Sequence, residues 1–394
     1  FESSMVSCTQ VVCSAFVFII GFLLNALYQV GEFSIIYPKN VRQCRRIEGY
    51  HGCEDFAYFS NADVYMSCDD RSWLKYHAIG QDHDCKTRIA NQKEQGQLYL
   101  LPNKNYEKAK PVKIKGYTSP DFHPLGIATL EDKSGKWLFV TDNQRDGEKV
   151  EIFRVNSETE IELFTEINFV EPHQMLNDII AIPNSGGSFY VTIWLVKEPG
   201  TIANFIDVYL KRPVSYVLFC ESPSKDFLNK PIPKDKTSFG WNCRKVIQGL
   251  RMINGITRSE DAKKIYMAET QAKSMNIYDR DTATNELTLR KKVHTISGCD
   301  NLEMSEDGKT IYLGCHPKAL TFQFHAAYPE SIVAPSRILK FTDNDRDDDK
   351  MEIVMVSTGE ILSGSSLGIR MSDGTLIVGS VHDDCYLLCK DQDQ

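Results

Sequence analysis

The chain has 394 residues, a formal net charge of −8, 42% apolar and 25% charged residues, so it has ample material for a large core. Its mild acidity and lack of a basic stripe argue against a nucleic-acid partner.

Residues 1–10 read as a short polar tail. Val11 to Val30 is a run of about twenty residues without a charge, long enough to cross a hydrocarbon core of roughly 30 Å as a helix. A cleaved signal peptide is the alternative. No pair of small residues follows at cleavage spacing, since Leu24 precedes Ala26 and Gln29 precedes Gly31, so an uncleaved span over 11–30 is preferred. Residues 31–43 read as a juxtamembrane linker. Lys39, Arg42, Arg45 and Arg46 follow the span, and the positive-inside rule would keep the remainder in the cytosol. Cysteines argue the opposite: ten of the twelve lie beyond the span, and disulfides belong to an oxidising compartment. A single-pass protein with its main domain in the endoplasmic reticulum lumen or outside the cell is the expectation.

From Cys44 to the end of the chain at 394, six segments share one pattern: CEDFAYFSNADVYMSC (53–68), PLGIATLEDKSGKWLFVTD (124–142), LNDIIAIPNSGGSFYVTI (176–193), INGITRSEDAKKIYMAE (253–269), CDNLEMSEDGKTIYLGC (299–315) and SLGIRMSDGTLIVGSV (366–381). Each is a short apolar strand, a polar turn and a second apolar strand. Six such units with room for outer strands predict an all-β, six-bladed β-propeller. Cys44 precedes the first unit and Cys389 ends the last, so a closed ring brings them together for a disulfide clasp.

In a propeller the innermost strands surround one axis and equivalent positions converge. That column reads Glu54-Asp55, Leu125-Gly126, Asn177-Asp178, Asn254-Gly255, Asp300-Asn301 and Leu367-Gly368. Four carboxylates meeting in a buried tunnel are untenable without cations. All the donors are oxygens, which selects a hard cation such as Ca²⁺ over Zn²⁺. Adjacent strand residues face opposite ways, so Glu54, Asn177, Asn254, Asp300 and Asn301 would hold one ion, and Asp55 with Asp178 a second below it.

Other segments are less specific. Gly200–Tyr216 carries Ile202, Phe205, Ile206, Tyr209 and Leu210 at helical spacing: a lid over one mouth, a membrane contact, or a helix packed on the propeller's own top. Ser222–Asn242 reads as an exposed loop whose base Cys220 and Cys243 could staple. Asp343–Asp349 lacks the glycine and terminal glutamate of an EF-hand and reads as a solvated acidic turn. Gly364–Gly368 matches Gly-x-Ser-x-Gly around Ser366 without a strand–turn–helix setting, so it reads as accidental.

The strings GCEDF (52–56), HPLGIAT (123–129), LNDIIAI (176–182), NGI (254–256), DNLEMSEDG (300–308) and GCHP (314–317) resemble the paraoxonase/arylesterase family over nearly the whole propeller. The resemblance implies two central calcium ions. The upper, catalytic ion would take Glu54, Asn177, Asn254, Asp300 and Asn301; the lower, structural ion would take Asp55, Asp178 and the carbonyl of Ile127. It also implies a Cys44–Cys389 disulfide and a free thiol at Cys315. The family's proposed proton-transfer positions are altered here: Leu125 and Asn143 stand where a His dyad is expected, and Trp194 and Leu195 where a second acid–base pair is expected. His316 remains as a weak catalytic candidate, with His123 an unfavoured substitute. The expected reading is a membrane-tethered accessory protein, similar to nematode paraoxonase-like proteins that assist degenerin/epithelial sodium channels. The alternative is a calcium-dependent arylesterase or lactonase.

Overall fold

The computed structural model describes residues 8–71, 95–144, 147–169, 175–197, 201–233, 235, 240–344 and 351–390, with side chains of the first helix described from residue 16. Six antiparallel sheets follow one another around an axis, as the repeats predict. Blade 1 comprises Cys53–Tyr58, Val64–Cys68, Gln97–Leu101 and Lys110–Pro111. Blade 2 comprises Pro124–Asp132, Gly135–Gln144, Gly147–Ser157 and Glu160–Asn168, with Lys113–Lys115 added in parallel on its edge. Blades 3, 4 and 5 begin at Met175, Ile253 and Gly298 and end at Leu250, His294 and Ser357.

Blade 6 closes the ring. Its inner strands are Ser365–Arg370, Leu376–Ser380 and Cys385–Cys389, and its outer strand is Cys44–Glu48 from the other end of the propeller. Cys44 pairs with Cys389 in register and the two form the expected disulfide. This removes the sheet edge that an open ring would expose. Cys220–Cys243 also forms, across paired strands at the base of the 222–242 loop. Cys53–Cys68 and Cys299–Cys315 are two further bridges. The expectation of a free thiol at Cys315 is therefore wrong. Cys315 lies opposite Cys299 across the two inner strands of blade 5, a pairing visible only once those strands are in register. Among the residues whose side chains are described, the buried Cys385 is the free cysteine; Cys8, Cys13 and Cys85 lie outside them.

The core is divided between the blades. Phe139, Phe164, Phe189 and Trp137 fill the space between blades 2 and 3, and Phe56, Met66 and Tyr386 that between blades 6 and 1. Alternating apolar residues of neighbouring sheets interdigitate there, as packed sheets require.

Among the described residues three α-helices decorate the ring: α1 (Cys8–Gln29), α2 (Ile202–Tyr209) and α3 (Ala319–Ala327). Among the described residues no helix is long and apolar enough to cross a membrane. The described part of α1 presents Phe16, Phe18, Phe22 and Leu24 to the exterior. The segment after α1 is docked rather than loose. The Val30 carbonyl accepts from the Ala319 amide, and the Glu32 carboxylate accepts from the Leu320 and Thr321 amides at 2.8 and 3.0 Å. Glu32 thus caps the first turn of α3 from another part of the chain. Further on, Lys39 bridges to Val356 in blade 5.

Helix α2 begins at Thr201, whose hydroxyl accepts from the Asn204 amide. Its orientation is the reverse of a core-packed helix. Asn204 and Asp207 are buried, while Ile202, Phe205, Ile206 and Tyr209 are exposed. The apolar stripe therefore does not pack on the propeller's own top. Only part of the 343–349 turn is described, and residues 345–349 lie outside.

Candidate functional site

Every innermost strand carries a register irregularity at the same level. The pairing skips between Cys53 and Asp55, Pro124 and Ile127, Leu176 and Ile179, Ile253 and Ile256, Cys299 and Leu302, and Ser365 and Gly368. A bulge breaks strict alternation and re-aims side chains. Neighbours such as Asp300 and Asn301 can therefore serve the same level of the tunnel.

The structure brings the upper set together. Glu54, Asn177, Asn254, Asp300 and Asn301 are each at most 5% exposed. The Asn301 amide donates to Glu54 Oε1 at 2.6 Å. Asn254 hydrogen-bonds Asp300. Yet Glu54 Oε2 and the Oδ1 atoms of Asn177, Asn254 and Asn301 are buried without any hydrogen-bond partner. An unsatisfied buried acceptor costs about 1–3 kcal/mol, and four such oxygens at one level are the kind of set that a bound cation would satisfy. Burial raises the Glu54 carboxyl above its ordinary range, opposed by the Arg71 guanidinium and by Asn301. Asp300 is pushed well up by burial and by Glu54. Among the described residues no three His, Cys, Asp or Glu side chains are placed to hold a metal alone. Here amide oxygens supply a large share of the donors. An all-oxygen set of mixed amides and carboxylates fits a hard cation such as Ca²⁺.

The lower pair is built differently. Asp55 accepts from the Phe56 and Ile127 amides at 2.9 and 2.7 Å, and Asp178 from the Ile179 and Ile256 amides, both at 2.7 Å. Each carboxylate thus ties its own blade to the next. Burial raises both well above the carboxylate range, and Asp178 further raises Asp55. Ile127 meets Asp55 through its amide. Glycine is required where these strands meet: a side chain at Gly126 would collide with Asn177 and Asp178, and one at Gly255 would lie 2.5 Å from the Asn301 Cα.

Leu125 is buried in the ring, and Leu195 packs with Met175 and Val381, flanked by Trp194, Met252 and Phe322. This apolar cluster draws on blade 3, the end of the second strand of blade 6, the turn before blade 4 and helix α3. Asn143 donates to Glu148 at 2.8 Å, and burial holds that carboxyl well above its usual range. His316 Nε2 lies 3.7 Å from Asp300 Oδ2 and lacks a hydrogen-bond partner. Its ring stacks on Phe322 at 3.5 Å, and burial, then His325, depress its pKa to about 3. His123 cannot swing into the tunnel, because Asp69 and Asp121 hold its two nitrogens at 3.3 and 3.0 Å.

Two residues at this level escaped the sequence reading. Arg71 is buried, donates to the Pro124 carbonyl at 3.0 Å and leaves Nε and Nη1 without acceptors. The other is Ser366. Sequence alignment on the Leu-Gly-Ile string placed Leu367-Gly368 in the column, but the register is one residue earlier. Ser365 pairs with Ser380 and Gly368 with Val378, as Cys299 pairs with Cys315 and Leu302 with Leu313. Ser366 is therefore the equivalent of Asp300, and Leu367 of Asn301. The Ser365-Ser366 doublet before the apolar run was the available signal.

The sequence model of the family described as "Arylesterase" matches residues 87–390. The chain is 26% identical over 365 residues to serum paraoxonase/arylesterase 1 of Homo sapiens, covering 91% of this chain and 90% of that protein. It is 25% identical over 371 residues to serum paraoxonase/lactonase 3 of Rattus norvegicus, covering 92% and 94%. Among solved structures, a luciferin-regenerating enzyme superposes with a TM-score of 0.50 at 12% identity, covering 91% of this chain and 96% of that one, which supports the fold alone. With the six blades, the oxygen-lined column and these matches together, the chain belongs to the paraoxonase/arylesterase family.

Proposed function

We propose that this protein is a calcium-binding, membrane-tethered propeller of the arylesterase family that acts as an accessory to a membrane partner rather than as a hydrolase. The observation that carries the non-catalytic part is the apolar cluster of Met175, Leu195 and Val381 with Trp194 and Phe322, where proton-transfer groups are expected. None of these side chains can accept a proton at neutral pH. The buried oxygens without partners support calcium, with Glu54, Asn177, Asn254, Asp300 and Asn301 toward an upper ion. Asp55, Asp178 and the Ile127 carbonyl would serve a lower one. Bound there, calcium would balance the buried carboxylates and polarise a nearby carbonyl oxygen.

Tethering through residues 11–30 is supported by the exposed apolar side chains of α1 and by the docking of Glu32 onto α3. The outward stripe of Ile202, Phe205, Ile206 and Tyr209 on α2 offers a second apolar surface, suited to a bilayer or a membrane protein such as an ion-channel subunit. Four disulfides support a luminal or extracellular setting.

A second reading is favoured by one observation, the unpartnered Nε2 of His316 beside Asp300. A calcium-dependent arylesterase or lactonase would use that nitrogen to position or deprotonate water. The two readings separate on phenyl acetate and a panel of lactones, assayed with the purified full chain and its Glu54→Gln variant. Equal rates in a folded, calcium-loaded protein support the accessory reading. A rate well above the variant's, abolished by chelation, establishes the hydrolase instead.

A further inference from the structure

We propose that Ser366 is an additional oxygen ligand of the upper calcium site, so that blade 6 contributes to the ring. The inference rests on the calcium reading above and deepens it.

Register places Ser366 at the level of Glu54 and Asp300. Blade order then sets it between those two carboxylates, since blade 6 lies between blades 5 and 1. Its side chain is fully buried, and its Oγ has no hydrogen-bond partner. A hydroxyl between two carboxylates that donates to neither is unusual, because it forgoes charge-assisted bonds worth about 1.5–3 kcal/mol each. Among the described residues it is the only further unpartnered oxygen on the innermost strand of any blade beyond Glu54, Asn177, Asn254 and Asn301. One cation shared by all of them explains the whole set.

Coordination number points the same way. Ca²⁺ takes about 6–8 oxygens, and five side chains binding through one oxygen each leave it short. A neutral hydroxyl adds a donor without adding charge to a site already rich in carboxylates.

The backbone is fixed for this role. The Ser365 amide accepts no freedom of placement: it donates to Ser336 Oγ at 2.9 Å, and the Ser365 hydroxyl donates to the Cys315 carbonyl at 3.3 Å. Gly314 of blade 5 lies so close to the Ser366 backbone that any side chain there would collide with it. His316 also hydrogen-bonds the Ser365 backbone. Preorganised neighbours of this kind are what tune a metal site.

The test is calorimetric titration of Ca²⁺ into metal-free full-length protein, comparing wild type with Ser366→Ala and Ser366→Thr. The alanine variant is expected to weaken one of two sites by about five- to twentyfold, and threonine to stay within about twofold of wild type, on the scale of ligand and supporting-group losses at metal sites. The metal-free melting temperature of Ser366→Ala should match wild type, which separates ligation from folding. Two wild-type sites left unchanged by alanine would overturn the role of Ser366 alone. A wild-type chain that binds no Ca²⁺ would overturn the calcium reading beneath it.

Discussion

Asn301 and Glu54 lie 247 positions apart, yet the Asn301 amide donates to Glu54 Oε1 at 2.6 Å while Asn301 Oδ1 and Glu54 Oε2 remain unpartnered. The hydrogen bond fixes the two side chains so that their free oxygens are left for a third group. It also joins blade 5 to blade 1 across the tunnel. Metal occupancy should therefore be coupled to the rigidity of the whole ring, because binding to the native state alone stabilises it.

Glu54→Gln keeps the shape of the side chain and removes its charge. Calorimetry should show upper-site calcium affinity falling by about two orders of magnitude, since carboxylate count is a main determinant of calcium affinity. Chelation of wild type should lower the melting temperature by several degrees, because occupancy at a hundredfold excess over Kd contributes about 2.7 kcal/mol. An unchanged melting curve with chelator would remove the metal from the account of stability.

Stability of the metal-free protein should depend on pH in a defined direction. Burial raises Glu54, Asp55, Asp178 and Asp300 in the folded state. A raised carboxyl contributes stability that is complete below its unfolded pKa and lost as pH rises through its folded one. Chelated protein should thus melt higher near pH 5 than near pH 7.5. Added Ca²⁺ should diminish or reverse that trend, because it favours the ionised carboxylates. Denaturation followed by circular dichroism with and without chelator measures both slopes.

Arg71 adds positive charge beside the upper ring, and its effect on Glu54 and Asp300 is to lower their pKa values. Arg71→Met should tighten calcium binding by about three- to tenfold, as expected for removing one like charge at an effective dielectric near 20. Weaker binding would instead make Arg71 a support for the donor ring.

Leu125→His places an imidazole where the family's proposed dyad begins. On the accessory reading, wild-type esterase turnover is at background. The variant should raise it measurably on phenyl acetate in a calcium-dependent manner. No gain across pH 6–9 would mean that the Leu195 cluster, and not Leu125 alone, closes the site to chemistry.

Replacing Cys44 and Cys389 together by serine opens a loop closed over a sequence separation of 345 residues. The chain-entropy account puts the loss at about 5–6 kcal/mol, as an upper figure. Chemical denaturation should show a lower midpoint, and limited proteolysis should begin at the Cys44–Glu48 strand. A midpoint unchanged from wild type would show that β-pairing alone holds the ring shut.

By itself the sequence determined the six-fold repeat, the all-β fold, the acidic and amide column and the Cys44–Cys389 clasp. These follow from local periodicity and from equivalent positions in repeated units, which survive being read one strand at a time. The apolar residues at Leu125, Trp194 and Leu195 were equally legible. Tertiary structure decided what depends on pairing between strands. It set Cys315 against Cys299, shifted the blade 6 column from Leu367 to Ser366, and brought Arg71 under the Pro124 carbonyl. It also turned the apolar stripe of α2 outward. Register is fixed by packing between blades, and a slip of one residue exchanges the side chains that face the axis. No single strand of this chain carries that information.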